Sequence, residues 1–215
     1  MQVTFKGIPH PPPTPEQLDE WKAQCLSKFP SKIQYQVILA DPPWTYKSKG
    51  TSVRGKPPYP TMPLKELKAL PVPSIAASTC VLFLWATCPL LPDALELIKG
   101  WGFTYKTVFK VWLKRTSNGK TSVGPGWWSR PSVELLLCAT KGHGALTWKQ
   151  TCSEKQEHPS SRGSHSQKPA ELRDAISRFM NVERRIELFA RTPAPDFDVW
   201  GLEIPEFFQP RAPSP

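Results

Sequence analysis

The sequence predicts an α/β domain built on a mainly parallel β-sheet. Short apolar runs of strand length alternate along the chain with segments whose apolar residues recur at helical spacing. The first run, residues 37–40, is apolar at every position, which is typical of a strand covered on both faces. The 215 residues suffice for one such domain with a sizeable core, but not for two.

Five runs have the length and composition of buried strands, and they cover residues 37–40, 80–85, 103–113, 133–140 and 186–191. Four helices are predicted, over residues 15–29, 64–70, 91–101 and 169–180. The first has the clearest start signal, because Thr14 and Gln17 have the spacing of a capping box. Three long loops are predicted at 45–62, 114–131 and 141–166, and we expect the last to be mobile.

The domain boundaries follow from composition. Residues 1–30 are predicted as an N-terminal extension that carries one helix. The apolar residues on one face of that helix should pack on the body of the protein, and they are Leu18, Trp21, Cys25 and Phe29. Residues 31–208 make up the main domain, and the proline-rich residues 209–215 are predicted as a disordered tail.

Lysine and arginine outnumber aspartate and glutamate by 28 to 18, which gives a formal net charge of +10. Such an excess favours a polyanionic partner, with nucleic acid ahead of a membrane surface. On charge alone, a merely soluble basic protein stays open as the alternative. We expect no membrane association, because no apolar run approaches the length of a membrane span and the N-terminus lacks the apolar core of a signal peptide.

The five cysteines are odd in number and scattered, with no Cys-x-x-Cys pair and no His-x-x-x-His spacing. This pattern gives no support for a structural zinc site. Cys80 and Cys138 lie inside strand-like runs, where we expect them to be small core residues. We expect reduced thiols and a cytoplasmic or nuclear location.

The motif with the most chemical content follows the first strand directly, as Asp41-Pro42-Pro43-Trp44. Two consecutive prolines end the strand, because neither can donate a hydrogen bond to the sheet. Asp41 is thereby placed at the carboxyl end of a central strand, where open α/β sheets bind their ligands. A carboxylate, bare carbonyl acceptors and a flat indole together suit a planar ligand with an amino group, such as adenine or cytosine.

This tetrapeptide resembles the signature of the adenine N6-methyltransferase family, which includes the eukaryotic messenger-RNA enzyme and its bacterial and phage relatives. Six further segments are similar to that family in the same order, namely Tyr59 to Met62, Val81 to Trp85, Gly126 to Arg130 with Glu134, His165 to Pro169, Glu187 to Arg191, and Trp200-Gly201. The resemblance covers residues 36–204 and is greatest to the short prokaryotic and phage forms.

The resemblance implies a Rossmann-like class I methyltransferase fold with helices on both faces of the sheet. It also implies a permuted motif order, in which the catalytic strand comes first and the cofactor-binding strand last. The implied reaction transfers a methyl group from S-adenosylmethionine to the exocyclic N6 amine of adenine in nucleic acid, with DNA favoured over RNA. Neither a metal nor a covalent nucleophile is needed for it.

The resemblance also assigns roles to residues. The catalytic set is Asp41, Pro42, Pro43 and Trp44. Within it, Asp41 and the Pro42 carbonyl would accept the two amine hydrogens, and Trp44 would stack on the base. The residues assigned to the substrate are Tyr59, Trp128, Arg130 and Glu134, and Lys114 joins them because the positive charge of its loop would meet phosphates. The residues assigned to the cofactor are Asp41, Lys168, Glu187, Phe189, Arg191 and Glu203.

Several of these residues keep a second interpretation. The simpler interpretation of Lys168 is a surface lysine beside a helix, and that of Phe189 is a core residue. For Glu134, the alternative is a structural role as the partner of Arg130. Leu202 stands where the family has asparagine, which removes a hydrogen bond expected for the cofactor ribose.

Ser132 also departs from the family pattern, because prokaryotic relatives usually have asparagine there. The alternative function is a non-catalytic nucleic-acid-binding subunit that scaffolds an active partner. The retained Asp-Pro-Pro-Trp motif favours an active enzyme over that alternative. A homodimer, or a heterodimer with a related subunit, stays open.

Overall fold

The computed structural model describes residues 14–46, 60–126, 128–143, 155–163, 167–180 and 182–211. The described strands are β1 (Tyr35–Ala40), β2 (Ala76–Ala86), β3 (Thr104–Arg115), β4 (Val133–Lys141), β5 (Glu157–Ser161), β6 (Arg185–Leu188), β7 (Asp198–Trp200) and β8 (Phe208–Gln209). The described α-helices are α1 (Pro15–Ser27), α2 (Leu64–Ala69), α3 (Val72–Ile75), α4 (Leu91–Gly100) and α5 (Ala170–Phe179). The described residues also include two short 3-10 turns, at Cys88–Leu90 and Pro205–Phe207.

All of these strands form one sheet, in the order β5-β3-β4-β2-β1-β6-β7-β8. β1 runs parallel to both of its neighbours, β2 and β6. The β3–β5 and β6–β7 pairs are also parallel. β4 runs antiparallel to β2 and β3, and β8 runs antiparallel to β7. The predicted mainly parallel α/β sheet is therefore confirmed, with β4 and β8 reversed.

Parallel pairing brings the carboxyl ends of β1, β2 and β6 to the same edge of the sheet. Ala40, the last residue of β1, is level with Leu84 in β2 and with Leu188 in β6. Asp41 therefore follows β1 at a point where two strands from distant parts of the sequence also end. The first strand thus lies beside a late one, which is the neighbourhood that the predicted permuted order requires.

Helices cover both faces of the sheet, as predicted. On one face, α1 to α4 pack on side chains such as Ile38 and Leu82. On the other face, Leu172 and Ile176 of α5 pack with Leu39. Successive residues of β1 point to opposite faces, so its unbroken apolar run contributes to two cores.

The N-terminal helix α1 packs on the domain. Its predicted start is confirmed, since the Thr14 and Gln17 side chains each cap the other's backbone N–H. The Trp200 indole N–H donates to the Cys25 carbonyl at 2.9 Å. The Phe29 ring meets Trp200 edge to face, with centroids 5.0 Å apart. The end of α1 is thus fastened to β7.

The sequence patterns missed three strands at the edges of the sheet. β5 lies in the segment predicted as a mobile loop, and that prediction is wrong for residues 157–161, which pair with β3. β7 and β8 have three and two residues, too few to show a periodicity. The predicted disordered tail also begins too early, because Gln209 belongs to β8 and the Arg211 N–H donates to Asp198 at 2.8 Å.

Cys25, Cys80 and Cys138 are buried free thiols. Burial raises the pKa of each of them to about 12. Cys80 and Cys138 are therefore the small core residues that the sequence predicted. Among the described helices, none is long and apolar enough to cross a membrane.

Candidate active site

The turn after β1 is held by backbone hydrogen bonds. The Pro42 carbonyl accepts from the Trp44 N–H at 2.8 Å. The Pro43 carbonyl accepts from the Met62 N–H at 2.7 Å. The sequence predicted bare carbonyls at this turn, and that is wrong, because each already accepts one bond. Each keeps a second lone pair, so the Pro42 oxygen can still accept a hydrogen from a ligand.

The Trp44 indole is a wall of the site rather than an open plate. Its N–H donates to the Trp85 carbonyl at 3.1 Å, and only 8% of the residue is exposed. It packs in the core cluster on the face covered by α1 to α4. Trp44 therefore fixes the turn against the end of β2, and little of its surface is open for the predicted stacking on a base.

Four charged side chains form a continuous network beside this turn. Lys168, just before α5, donates to Asp41 Oδ2 at 2.7 Å. The same ammonium lies 3.3 Å from Oε2 of Glu134 in β4. Oε1 of Glu134 accepts from Lys114, near the end of β3. The charges alternate in sign along the network, so each one faces an opposite charge.

The two carboxyls of the network have pKa values shifted in opposite directions. Burial raises the pKa of Asp41 against the opposing charge of Lys168, and Glu134 adds to the rise. Burial also opposes ionisation of Glu134, but the ammonium groups of Lys168 and Lys114 outweigh it and lower its pKa. Glu134 is therefore the fixed anion, and Asp41 is the carboxylate with the greater affinity for a proton.

Two clefts meet at this network. The turn-side cleft, of about 290 Å³, lies against the Asp41–Trp44 turn and is also lined by Tyr46 and Thr87. The helix-side cleft, of about 520 Å³, lies over the start of α5 and is also lined by Glu187. The residues that line both clefts are Asp41, Trp85, Lys168, Phe189, Arg191 and Glu203. Ligands in the two clefts would therefore be neighbours at Asp41.

The side chains predicted for the cofactor line the helix-side cleft, where four charged groups form two ion pairs. Arg173 of α5 donates to Glu187 Oε2 at 2.8 Å. Arg191 donates from Nε to Glu203 Oε1 at 2.6 Å. Burial raises the pKa of Glu187, and Arg173 opposes the rise. Arg173 was not predicted, although its place in the helix that follows Lys168 is a signal that could have found it.

Phe189 turns the chain at the end of β6. Its φ is +62°, a left-handed conformation that costs a residue with a side chain about 1–2 kcal/mol. The strand therefore ends at Leu188, before the predicted residue 191. Its ring meets Trp200 with centroids 5.5 Å apart. Gly201 allows the close packing, since a Cβ there would lie 2.3 Å from the Ala190 oxygen. Phe189 is thus both a core contact and a wall of the two clefts.

The other residues predicted for the substrate lie differently. Trp128 and Arg130 are exposed and line neither cleft. Glu134 is paired with Lys114 and Lys168 rather than with Arg130. Tyr59 lies outside the described residues.

Two hydroxyl-bearing residues of the turn-side cleft were also missed by the sequence reasoning. Tyr46 and Thr87 follow the ends of β1 and β2, and their hydroxyl oxygens are 2.8 Å apart across the turn-side cleft. Their positions just beyond parallel strand ends are the only sequence signal for them. In the described part of the chain, no three or more His, Cys, Asp or Glu side chains are arranged to hold a metal ion.

Known proteins are similar to this chain over most of its length. The sequence model of the MT-A70 family matches residues 35–203. The type II methyltransferase M.MunI of Mycoplasma sp is 37% identical over 206 residues, which cover 85% of this chain and 83% of that protein.

Two other relatives are much longer than this chain. An N(6)-adenosine-methyltransferase MT-A70-like protein of Arabidopsis thaliana is 30% identical over 168 residues, or 73% of this chain and 22% of that protein. The human N(6)-adenine-specific methyltransferase METTL4 is 27% identical over 186 residues, or 80% of this chain and 38% of that protein. With the Asp-Pro-Pro-Trp turn at the junction of two clefts, these matches show that the chain belongs to the MT-A70 family.

Proposed function

We propose that this protein transfers a methyl group from S-adenosylmethionine to the exocyclic N6 amine of adenine in DNA. The observation that carries the proposal is the position of Asp41, where the turn-side and helix-side clefts meet. A base in the first cleft and a methyl donor in the second would share this carboxylate. The names of two relatives, an adenosine and an adenine-specific N6-methyltransferase, agree with the assignment.

The acceptors at the turn match what the amine needs. The lone pair of the adenine amino group is delocalised into the ring, so the nitrogen is a weak nucleophile. Acceptors for its two hydrogens favour the geometry in which the lone pair is available. Asp41 supplies a carboxylate with a raised pKa, and the second lone pair of the Pro42 carbonyl supplies the other acceptor.

The donor set of the helix-side cleft fits a zwitterionic nucleoside. Lys168 and Arg173 offer cations to a carboxylate, and Glu187 and Glu203 offer acceptors to an ammonium or to ribose hydroxyls. Phe189 offers an apolar ring to an adenine. The volume of about 520 Å³ lies in the range of small-molecule sites. S-adenosylmethionine, once bound, supplies a methyl group already activated by a sulfonium, so the chain supplies alignment and charge stabilisation.

Lys168 links the two sides of the site. Its ammonium is bonded to Asp41 and lies near Glu134 and 5.7 Å from the centre of the Trp85 ring. These contacts hold a positive charge beside Asp41, which favours the ionised carboxylate needed as an acceptor. The proton released by the amine leaves to water through the open cleft.

The loop between β3 and β4, residues 116–132, is proposed as the contact for the polynucleotide. Its two sides are joined by a bond from the Gly124 N–H to the Pro131 carbonyl at 2.8 Å. Trp128 is fully exposed near the tip, and Arg130 is exposed beside it. An exposed indole next to a guanidinium suits stacking on a base together with contact to a phosphate.

DNA is favoured over RNA because the compact chain resembles the short prokaryotic and phage forms of the family, and its match to the Mycoplasma methyltransferase covers 85% of this chain and 83% of that protein. The adenosine methyltransferase of Arabidopsis matches over only 22% of its length. The competing function, a non-catalytic nucleic-acid-binding subunit, has no need of the complete Asp41–Trp44 turn at a cleft junction. A homodimer, or a heterodimer with a related subunit, is compatible with either function.

Transfer of a labelled methyl group to random-sequence DNA and RNA pools tests the proposal, with the modified nucleoside identified by mass spectrometry. We expect N6-methyladenine in DNA and less in RNA. The Asp41→Ala variant should lose the activity, whereas Asp174→Ala, an exposed aspartate in α5, should keep it. Equal incorporation by Asp41→Ala and wild type would remove Asp41 from the mechanism.

Calorimetric titration with S-adenosylmethionine separates the enzyme from the scaffolding subunit. The enzyme should release or absorb heat on binding, because its donor set is built for a charged nucleoside. A chain that binds DNA but gives no heat at millimolar S-adenosylmethionine would support the scaffold instead.

A further inference from the structure

We propose that Tyr46, held in place by Thr87, is the aromatic surface against which the target base lies. The inference rests on the proposed function and names a positioning residue for its substrate. Tyr46 lines the turn-side cleft together with Asp41, and 46% of the residue is exposed. The cleft therefore has an acceptor carboxylate and an open aromatic ring within the same walls.

The aromatic residue of the motif is poorly placed for this task. Trp44 is 8% exposed, and its indole N–H is already bonded to the Trp85 carbonyl. Trp85 is itself buried, and Phe189 packs edge to face on Trp200. A base needs an exposed ring to stack on. Among the described residues that line the turn-side cleft, Tyr46 is the only exposed aromatic one.

Thr87 gives the ring a fixed position. The Tyr46 and Thr87 hydroxyl oxygens are 2.8 Å apart, and they come from the segments that follow β1 and β2. Thr87 is itself held, because its carbonyl accepts from the Leu90 N–H at 3.0 Å. A side chain that is already ordered loses less conformational entropy when a ligand binds. The bond thus prepares the ring for a base before the base arrives.

Tyr46 therefore acts on binding of the base rather than on the chemical step. Asp41 and the Pro42 carbonyl, which accept the amine hydrogens, are held by Lys168 and by the Trp44 N–H respectively. Loss of the ring should raise KM for the nucleic acid and leave KM for S-adenosylmethionine and kcat within about twofold. This pattern separates a positioning residue from a structural one, since a structural defect would lower all three together.

The test compares steady-state kinetics of four variants on the DNA pool that the wild type methylates. Tyr46→Leu should raise KM for DNA about tenfold, since it removes the aromatic face on which the base stacks. Tyr46→Phe keeps the ring but loses the bond to Thr87, and Thr87→Val loses the same bond from the other side. Both variants should show a smaller rise, of about threefold.

Tyr105→Leu is the matched control, because Tyr105 is 40% exposed on β3 and lines neither cleft. It should behave as wild type. If the wild type is active and Tyr46→Leu has the same KM for DNA as Tyr105→Leu, the inference is wrong and the proposed function stands. If the wild type methylates neither DNA nor RNA, the proposed function is wrong and the inference falls with it.

Discussion

Asp41 and Glu134 are two carboxylates on either side of one ammonium, yet the protein shifts their pKa values in opposite directions. Burial works against ionisation of both. In Glu134, the ammonium groups of Lys168 and Lys114 outweigh the burial and lower the pKa. In Asp41, the ion pair with Lys168 does not, and the pKa is raised.

Under the proposed function, the difference separates an anchor, Glu134, from an acceptor, Asp41. Glu134 stays ionised and fixes Lys168, because its two oxygens face two different ammonium groups. Asp41 lies at the meeting point of both clefts, and its higher proton affinity suits a group that accepts hydrogens from an amine. Two carboxyls in one network can therefore have different roles, depending on the cations around them.

The largest expected effect is the loss of methyl-transfer rate when Asp41, the proposed acceptor, is replaced. Asp41→Asn replaces one oxygen acceptor with an NH2 donor, so the rate of methyl transfer should fall about 10³-fold, as when a preorganised polar group is removed from an active site. Single-turnover rates with labelled methyl donor measure the loss. Asp174→Asn, an exposed aspartate of α5, is the control and should keep the wild-type rate. A loss of less than tenfold would show that Asp41 is not the acceptor.

Removing the anchor should damage stability more than any other change in the network. Glu134→Gln leaves two ammonium groups without their shared anion, and we expect a loss of about 3 kcal/mol in the free energy of unfolding at pH 7. The exposed Glu96 also pairs with a lysine, Lys68, at 2.9 Å. Glu96→Gln is the control and should cost less than about 1 kcal/mol.

The effect of Glu134→Gln should depend on pH in a definite direction. A lowered pKa means that ionised Glu134 stabilises the fold above the ordinary carboxyl value of 4.5. This contribution is lost as the pH falls through the lowered pKa of the folded state. Urea unfolding of both proteins across this range should show the two curves converging in acid, and parallel curves would contradict an ionised anchor.

The sequence was most informative where a short segment has a distinctive local pattern. The apolar run of β1, the two prolines after it and the capping box of α1 each predicted a local structure that the fold contains. The edge strands had no such signal. β5 is polar and includes Pro159, so only its pairing with β3 makes it a strand.

The sequence named most of the charged residues that line the two clefts, but not their pairings. The resemblance supplied Lys168 and Glu134, but their contact joins the segment before α5 to β4 and depends on the tertiary fold. Trp44 was predicted as a stacking surface, and the structure buries most of it. Tyr46 and Thr87 were missed because neither belongs to a motif, and a hydroxyl contact between residues 41 positions apart leaves no local pattern.

Removing the shared ammonium tests whether it tunes Asp41. Lys168→Gln takes away the charge that opposes the rise of the Asp41 pKa, so that pKa should rise further. The proposed mechanism needs Asp41 in its ionised form, so the acid limb of the kcat/KM profile should move to higher pH. Lys114→Gln is the matched control, because the carboxylate that Lys114 contacts is Glu134 and not Asp41. The acid limb of its kcat/KM profile should move much less. Equal shifts in the two variants would mean that Lys168 has no special effect on Asp41.

The smallest expected effect is that of Asp41→Asn on stability, and it should have the opposite sign to the effect of Glu134→Gln. A raised pKa means that ionised Asp41 destabilises the fold at neutral pH, and this cost disappears as the pH falls below the ordinary carboxyl value of 3.8. Asp41→Asn should therefore melt slightly above wild type at pH 7, with the gain shrinking in acid, while Lys168 keeps Glu134 as its partner. Thermal unfolding at several pH values measures this. An Asn variant that melts below wild type at pH 7 would show that the Asp41–Lys168 pair is an anchor too, and the two carboxylates would no longer differ in kind.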